Sequence, residues 1–93
     1  MRITVKFIGA LRKASGGNQN VVDCQECSVK SLIEKISVSS PSLKRNLVGG
    51  EGENEYPNAL ILVNGREISV LNGLATMLKD DDEVVFIPVV HGG

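Results

Sequence analysis

Residues 83–93 run Glu83-Val84-Val85-Phe86-Ile87-Pro88-Val89-Val90-His91-Gly92-Gly93. After the leading glutamate, Val84 to Ile87 are apolar at every position, the pattern of a strand covered on both faces and so of a central, parallel-paired one. The partner stands at the other end of the chain. There Ile3, Val5 and Phe7 alternate with Arg2, Thr4 and Lys6 in the period of two of a half-buried strand. A parallel pair of the first and last strands at the centre of one sheet is therefore expected.

The intervening sequence fills in the rest of such a sheet. Gly16-Gly17-Asn18 suits a hairpin turn within the Gly9 to Asn20 connection, and Asn20-Val21-Val22-Asp23-Cys24 reads as the returning second strand. After Ser28, a helix N-cap residue, Val29, Leu32, Ile33 and Ile36 fall at i, i+3, i+4 and i+7 on one helical face. Burying those four side chains against a sheet contributes roughly 1.5–3 kcal/mol each before entropy, enough to anchor a helix of about three turns. Ser39-Ser40-Pro41 ends it, and Ser40 with Pro41 opens a second short helix carrying Leu43 and Leu47, stopped by Gly49-Gly50. Gly49 to Pro57 is a loop within the domain. Ala59-Leu60-Ile61-Leu62-Val63 is apolar on both faces, and Asn64-Gly65 is a hairpin signal that returns the chain through Arg66-Glu67-Ile68. Leu71 to Leu78 is a connector whose apolar residues tuck under the sheet, and Lys79-Asp80-Asp81-Asp82 is the turn into the last strand, Glu83 to Ile87. A hairpin, one long helix and then more strands is the order of an α+β domain with a mixed sheet wrapped over one main helix, the β-grasp arrangement. The expected organisation is this domain over residues 1–88 and a flexible C-terminal reactive tail over 89–93.

Ninety-three residues support one modest core. The apolar share of 42% and charged share of 23% are those of an ordinary soluble protein. A formal charge of -1 gives no field for direct binding of nucleic acid or an acidic membrane. Charges interrupt the apolar opening Met1 to Ile8, unlike a signal peptide, and no segment has the length of a membrane span. A cytoplasmic chain, monomeric when alone, is the expectation.

Few residues could carry catalysis. There is one histidine, His91, and no glycine-rich phosphate loop, His-Glu-x-x-His motif or nucleophile elbow. The only two cysteines, Cys24 and Cys27, form a lone C-x-x-C, too few ligands for a closed zinc or iron-sulfur site. They are either two small apolar fillers at a strand-to-helix junction or a redox pair whose thiolate is favoured by the helix N-terminus. The acidic run Asp80 to Glu83 reads as a solvated turn rather than a cation site.

The chemistry is expected at the end of the chain. Proline cannot donate to a sheet ladder, so Pro88 frees the residues after it, and five extended residues reach about 17 Å. Gly92 and Gly93 have no side chains and can thread a narrow channel, and His91 before them either orients the tail in a partner's channel, as a family resemblance described below implies, or is a solvated tail residue. With a reference pKa of about 3.3–3.7, a carboxylate on Gly93 is ionised at neutral pH and can attack the α-phosphate of ATP once another enzyme positions it. The alternative is an inert, disordered end.

Leu78-Lys79-Asp80-Asp81-Asp82-Glu83-Val84, Phe86-Ile87-Pro88-Val89 and Gly92-Gly93, with the Asn64-Gly65 hairpin, resemble the MoaD and ThiS type sulfur carriers with their "LKDGDEV…PPV.GG" ending. That group includes the ubiquitin-related modifiers and the small archaeal modifier proteins, and the resemblance covers the whole chain. It implies that a MoeB/ThiF-type enzyme, using ATP, adenylates Gly93 and that sulfur then converts it to a thiocarboxylate, a covalent sulfur with no bound cofactor and no metal. It also implies that Val84 and Phe86 face the helix, while Val85, Ile87 and Pro88 lie on a partner-docking face. Asp81 replaces the usual turn glycine, and Val90-His91 replaces the small residue that often precedes Gly-Gly in MoaD. The expected function is a sulfur carrier acting as a MoaD-like small subunit of molybdopterin synthase beside a MoaE-like large subunit. The alternatives are a protein modifier that also carries sulfur for tRNA thiolation, and a β-grasp interaction module with a Cys24–Cys27 redox pair. In every case the chain itself is not the catalyst.

Overall fold

The computed structural model describes residues 1–9, 11–12, 19–38, 40–43 and 59–89. The expected turn at Gly16-Gly17-Asn18, the loop from Gly49 to Pro57, Leu47, and the tail residues His91, Gly92 and Gly93 lie outside the described residues.

Five strands form one mixed sheet in the order β2-β1-β5-β3-β4. They are β1 (Arg2–Phe7), β2 (Gln19–Asp23), β3 (Ala59–Val63), β4 (Arg66–Glu67) and β5 (Glu83–Pro88), and the main helix α1 spans Val29–Val38. The sequence-derived central pair is present: β1 and β5 run parallel, with Thr4 opposite Glu83, Val5 opposite Val84 and Phe7 opposite Phe86. On either side the pairing is antiparallel, β1 with β2 and β5 with β3. This is the α+β, β-grasp architecture expected from the pattern.

One face of the sheet is dry. Ile3, Val5, Phe7, Ile61, Val63, Val84 and Phe86 are buried against Val29, Leu32 and Ile33 of α1, with Leu11, Leu43 and Leu78 closing the edges. Phe7 and Phe86 stack at a centroid distance of 5.5 Å and an interplanar angle of 15°, so the parallel pair is also an aromatic pair. Helix α1 starts where Ser28 predicts it, because the Ser31 amide donates to Ser28 Oγ at 3.1 Å and satisfies one of the orphan donors of the first turn. Ile36, expected on the buried face, is only half-buried, and Ser37 is buried further along the helix. The second short helix is described over 41–43, where the Leu43 amide donates to the Ser40 carbonyl at 3.0 Å and Leu43 is buried.

Two turns differ in detail from the sequence reading. The return strand β4 holds only Arg66 and Glu67, because Ile68 already belongs to a 3₁₀ turn, Ile68–Val70. The Glu67 carboxylate accepts from the Ser69 amide at 2.9 Å and from the Ser69 hydroxyl, which caps that turn and holds the carboxyl below its usual range. Within the connector, Leu71 and Leu74 pack on the core and Leu78 is buried, but Met77 stays exposed. The acidic turn is structural. Asp80 accepts the Arg2 amide at 2.7 Å, and Asp82 accepts the Lys79 amide at 2.7 Å and the Asn64 side-chain amide at 2.9 Å. Glu83 pairs with Lys6 at 2.9 Å. Asp81 has φ 67°, the left-handed conformation for which the family's usual glycine is suited.

Removing the central ring tests the sheet. Phe86→Ala should lower unfolding free energy by about 3–5 kcal/mol in urea titration, since the cavity opens at a large, fully buried ring of the core. Asp81→Gly should act in the opposite sense, raising stability by about 0.5 kcal/mol, because relief of left-handed strain outweighs glycine's greater unfolded-state entropy. An unchanged or lowered midpoint for Asp81→Gly would mean that aspartate is at ease in this turn.

Candidate functional site: the tail root and the outer face of the sheet

Strand β5 determines where the chain's end departs. The parallel pairing with β1 carries β5 from the acidic turn to the far end of the sheet, where the Ile8 amide donates to the Phe86 carbonyl at 3.0 Å. The strand runs one residue past Ile87 and stops at Pro88. It is the last residue of β5, in register with Ala59. Its missing donor is tolerated there because the strand ends with it. Val89 comes next, 39% exposed, as the last described residue before the segment that carries His91, Gly92 and Gly93.

Gly9 lies against this exit. Its φ of 61° is left-handed, and a β-carbon there would lie 3.2 Å from Pro88 Cγ. Both facts favour glycine, so Gly9 sets how closely β1's end packs on the root of the tail. Nothing in the local sequence marks Gly9 for this role, because the requirement comes from a residue 79 positions away.

The division of β5 by alternation is as the resemblance implied. Val84 and Phe86 are fully buried toward α1, while Val85 and Ile87 are half-buried on the opposite face. They do not stand there alone. Leu60 is in register with Ile87 and Leu62 with Val85, so two cross-strand pairs make one apolar strip across β3 and β5. Leu60 is 38% exposed. Sequence reasoning missed Leu60 and Leu62 because an all-apolar strand announces two covered faces, whereas their partners are known only from the register. The Lys6–Glu83 ion pair borders the strip on the β1 side. The strip and the tail root share one strand, which places an apolar surface directly beside Pro88 and Val89.

The Cys24–Cys27 turn is separate from this site. Cys24 adjoins the opposite end of β1, where its amide donates to the Met1 carbonyl at 3.0 Å. Burial first, and then the neighbouring Cys24 thiol, push the Cys27 thiol up to about 12, with Lys35 pulling weakly the other way. The thiolate-favouring effect expected of the helix N-terminus is therefore overridden at Cys27 by desolvation. Among the described residues there is no cluster of three or more metal-ligating side chains, and no helix long and apolar enough to cross a membrane.

Comparison with known proteins gives these features a context. The chain is 32% identical over 72 residues to a putative sulfur carrier protein from Archaeoglobus fulgidus, covering 77% of this chain and 81% of the relative. Among solved structures it superposes on the small archaeal modifier protein 1 of Methanosarcina acetivorans with a TM-score of 0.83 and 30% identity, covering 99% and 96% of the two chains. It also superposes on a putative molybdopterin converting factor, subunit 1, from Pyrococcus furiosus with a TM-score of 0.79 and 28% identity, covering 97% and 99%. The ThiS family matches residues 5–93, from inside β1 through the final glycine. The chain accordingly belongs to the ThiS family, the ubiquitin-like sulfur carriers of the MoaD and ThiS type.

Proposed function

We propose that Gly93 is the point of activation: its carboxylate attacks the α-phosphate of ATP in a MoeB/ThiF-type partner, releasing pyrophosphate, and sulfide then displaces AMP to leave a thiocarboxylate. The observation that carries this reading is the family match running through Gly93 from a central strand that ends at Pro88, five residues earlier. A sheet-centre strand gives the tail a rigid base, so the partner need only capture the last few residues. Gly92 supplies the slender approach and His91 lines the same channel. Val85 and Ile87, with Leu60 and Leu62, dock the partner beside the tail root, and Pro88 sets the tail's direction. ATP is the partner's substrate, and this chain holds no cofactor of its own in the proposed cycle.

The sulfur is delivered to a molybdopterin precursor, with this chain as the MoaD-like small subunit of a molybdopterin synthase and a MoaE-like protein as the large one. The full-length likeness to a putative molybdopterin converting factor subunit supports this acceptor. A second reading rests on the likeness to a small archaeal modifier protein. In it, the activated Gly93 carbonyl is passed to lysine amines of other proteins or supplies sulfur for tRNA thiolation.

Intact-mass spectrometry after incubation with ATP, a sulfur donor and an activating enzyme tests the common step. The expected product gains the mass of one oxygen replaced by sulfur, and a chain lacking Gly93 gains nothing. Absence of any gain, with the enzyme active on its own partner, would end the proposal. A MoaE-like subunit co-purifying with the chain favours the first acceptor, and lysine conjugates lost with Gly93 favour the second. On the docking face, Leu60→Glu should weaken activation by about tenfold, read as a raised KM for the carrier with an unchanged unfolding midpoint, because a charge would be desolvated at the centre of the contact. Gly9→Ala should destabilise the fold by about 1–2 kcal/mol by urea titration, the cost of a left-handed alanine, with the contact on Pro88 adding to it.

A further inference from the structure

The two borders of the outer strip carry opposite charges, and the strand register puts both in one row. Lys6 lies opposite Val85, Val85 opposite Leu62, and Leu62 opposite Glu67. A single line across β1, β5, β3 and β4 therefore reads cation, apolar, apolar, anion. All four lie on the face away from α1, because Val5, Phe7, Val84, Phe86, Ile61 and Val63 alternate with them into the core. A second row adjoins it toward Pro88. Ile8, 46% exposed, follows Phe7 onto this face, and its amide bond to the Phe86 carbonyl places it beside Ile87, which lies opposite Leu60. Each charge is tied on its own side of the strip, Lys6 to Glu83 at 2.9 Å and Glu67 to the Ser69 amide at 2.9 Å.

We propose that in the free protein this strip is covered by the same strip of a second copy, across a twofold axis that runs along the strands between β5 and β3. A row that changes sign about its own midpoint is self-complementary, which is what a contact between identical patches requires. The axis reverses the row, so Val85 meets Leu62 of the second copy and Ile87 meets its Leu60. Lys6 and Glu67 each stand one and a half strand spacings from the axis, about 7 Å. The same rotation therefore sets Lys6 over Glu67 of the second copy, twice per dimer. Face-packed sheets lie about 10 Å apart, a gap that a lysine and a glutamate side chain span together. Lys6 keeps Glu83 while doing so, because an ammonium has three donors. The other twofold packing, about an axis across the strands, preserves the row and sets Lys6 over Lys6 and Glu67 over Glu67. Charge thus selects the orientation, while the apolar rows supply the attraction.

A handful of half-buried side chains makes a contact below the roughly 1,200 Å² of a standard interface, so the dimer is weak and dissociates on dilution. The expectation of a monomer then holds for dilute chain only. One consequence rests on the proposed function: the strip is the surface that docks the activating partner, so self-pairing and activation compete. The contact itself belongs to the chain alone, and its test needs neither the enzyme nor a reactive Gly93.

Sedimentation equilibrium of the full chain from about 10 μM to about 1 mM brackets a contact of this strength. The wild type should pass from the monomer mass toward the dimer mass. Leu60→Glu, Lys6→Glu and Glu67→Lys should each dissociate at least about tenfold more readily. An equimolar mixture of the Lys6→Glu and Glu67→Lys chains should dimerise more tightly than either alone, because every border cation of one then meets an anion of the other. A wild type at monomer mass throughout overturns the proposal. So does a dimer indifferent to Leu60→Glu, since the contact then lies elsewhere, and so does a mixture no tighter than its components, since the axis is then wrong. If either charge variant fails to fold, nuclear Overhauser effects between the Val85 methyls of a labelled copy and the Leu62 methyls of an unlabelled one take its place, and their absence from the dimer overturns the proposal. Activation by the enzyme of a chain that stays monomeric would remove the dimer and leave the proposed function standing. Dimerisation without any gain of sulfur mass would do the reverse.

Discussion

The parallel pairing of β1 with β5 is the constraint on which the rest of the molecule depends. Antiparallel neighbours can be joined by a tight turn, but a parallel pair between the two ends of a chain needs everything in between to cross over and cover it. Here that crossover includes β2, α1 and the β3–β4 hairpin, which flank the pair in the sheet or, for α1, cover one face of it. Phe7 and Phe86, opposite each other in register and stacked, put two of the largest buried side chains of the core on this pair. The same pairing settles the direction of β5, and so the end of the sheet from which residues 89–93 depart.

Most of this architecture is legible in the sequence because it rests on local periodicities. Ile3, Val5 and Phe7 declare a one-sided strand, Val84 to Ile87 a two-sided one, and Val29, Leu32 and Ile33 a buried helical face capped by Ser28. Asn64-Gly65 is a tight turn with both residues at positive φ, as the dipeptide demands. Register and exit are not carried by local pattern. Leu60 and Leu62 join the outer strip only because β3 sets them opposite Ile87 and Val85. Gly9 matters only because Pro88 lies against it. Ile68 reads as strand because hydrophobicity does not distinguish a strand residue from one opening a 3₁₀ turn, a choice made by the Glu67 cap. The residues expected to carry the chemistry, His91, Gly92 and Gly93, are legible as composition, and they lie outside the described residues.

A half-buried apolar strip on a sheet face is costly to leave uncovered in a small protein, and its position restricts what can cover it. The second face of an antiparallel meander could simply be polar, yet the β3–β5 half here is apolar while the β1 half carries Lys6 paired with Glu83. Hydrophobic area and the root of the tail are therefore gathered on one strand, and a polar border separates them from the β2 edge. In the proposed cycle a partner that reads the strip meets the tail root in the same contact, so that binding energy gained on the sheet would position glycines that have no side chains with which to make contacts of their own.

The opposite end of the sheet follows a different logic. The acidic turn and the start of β1 are tied together by backbone bonds, Asp81 to Arg2 and Thr4 to Asp82, and by the Asp80 carboxylate on the Arg2 amide. Cys24 is bonded to the Met1 carbonyl at the base of the same strand, and Cys27 to Leu78 just before the turn. A corner fixed by these bonds and a root from which the tail continues fit in so short a chain because β5 runs the length of the sheet, from the acidic turn at one end to Pro88 at the other.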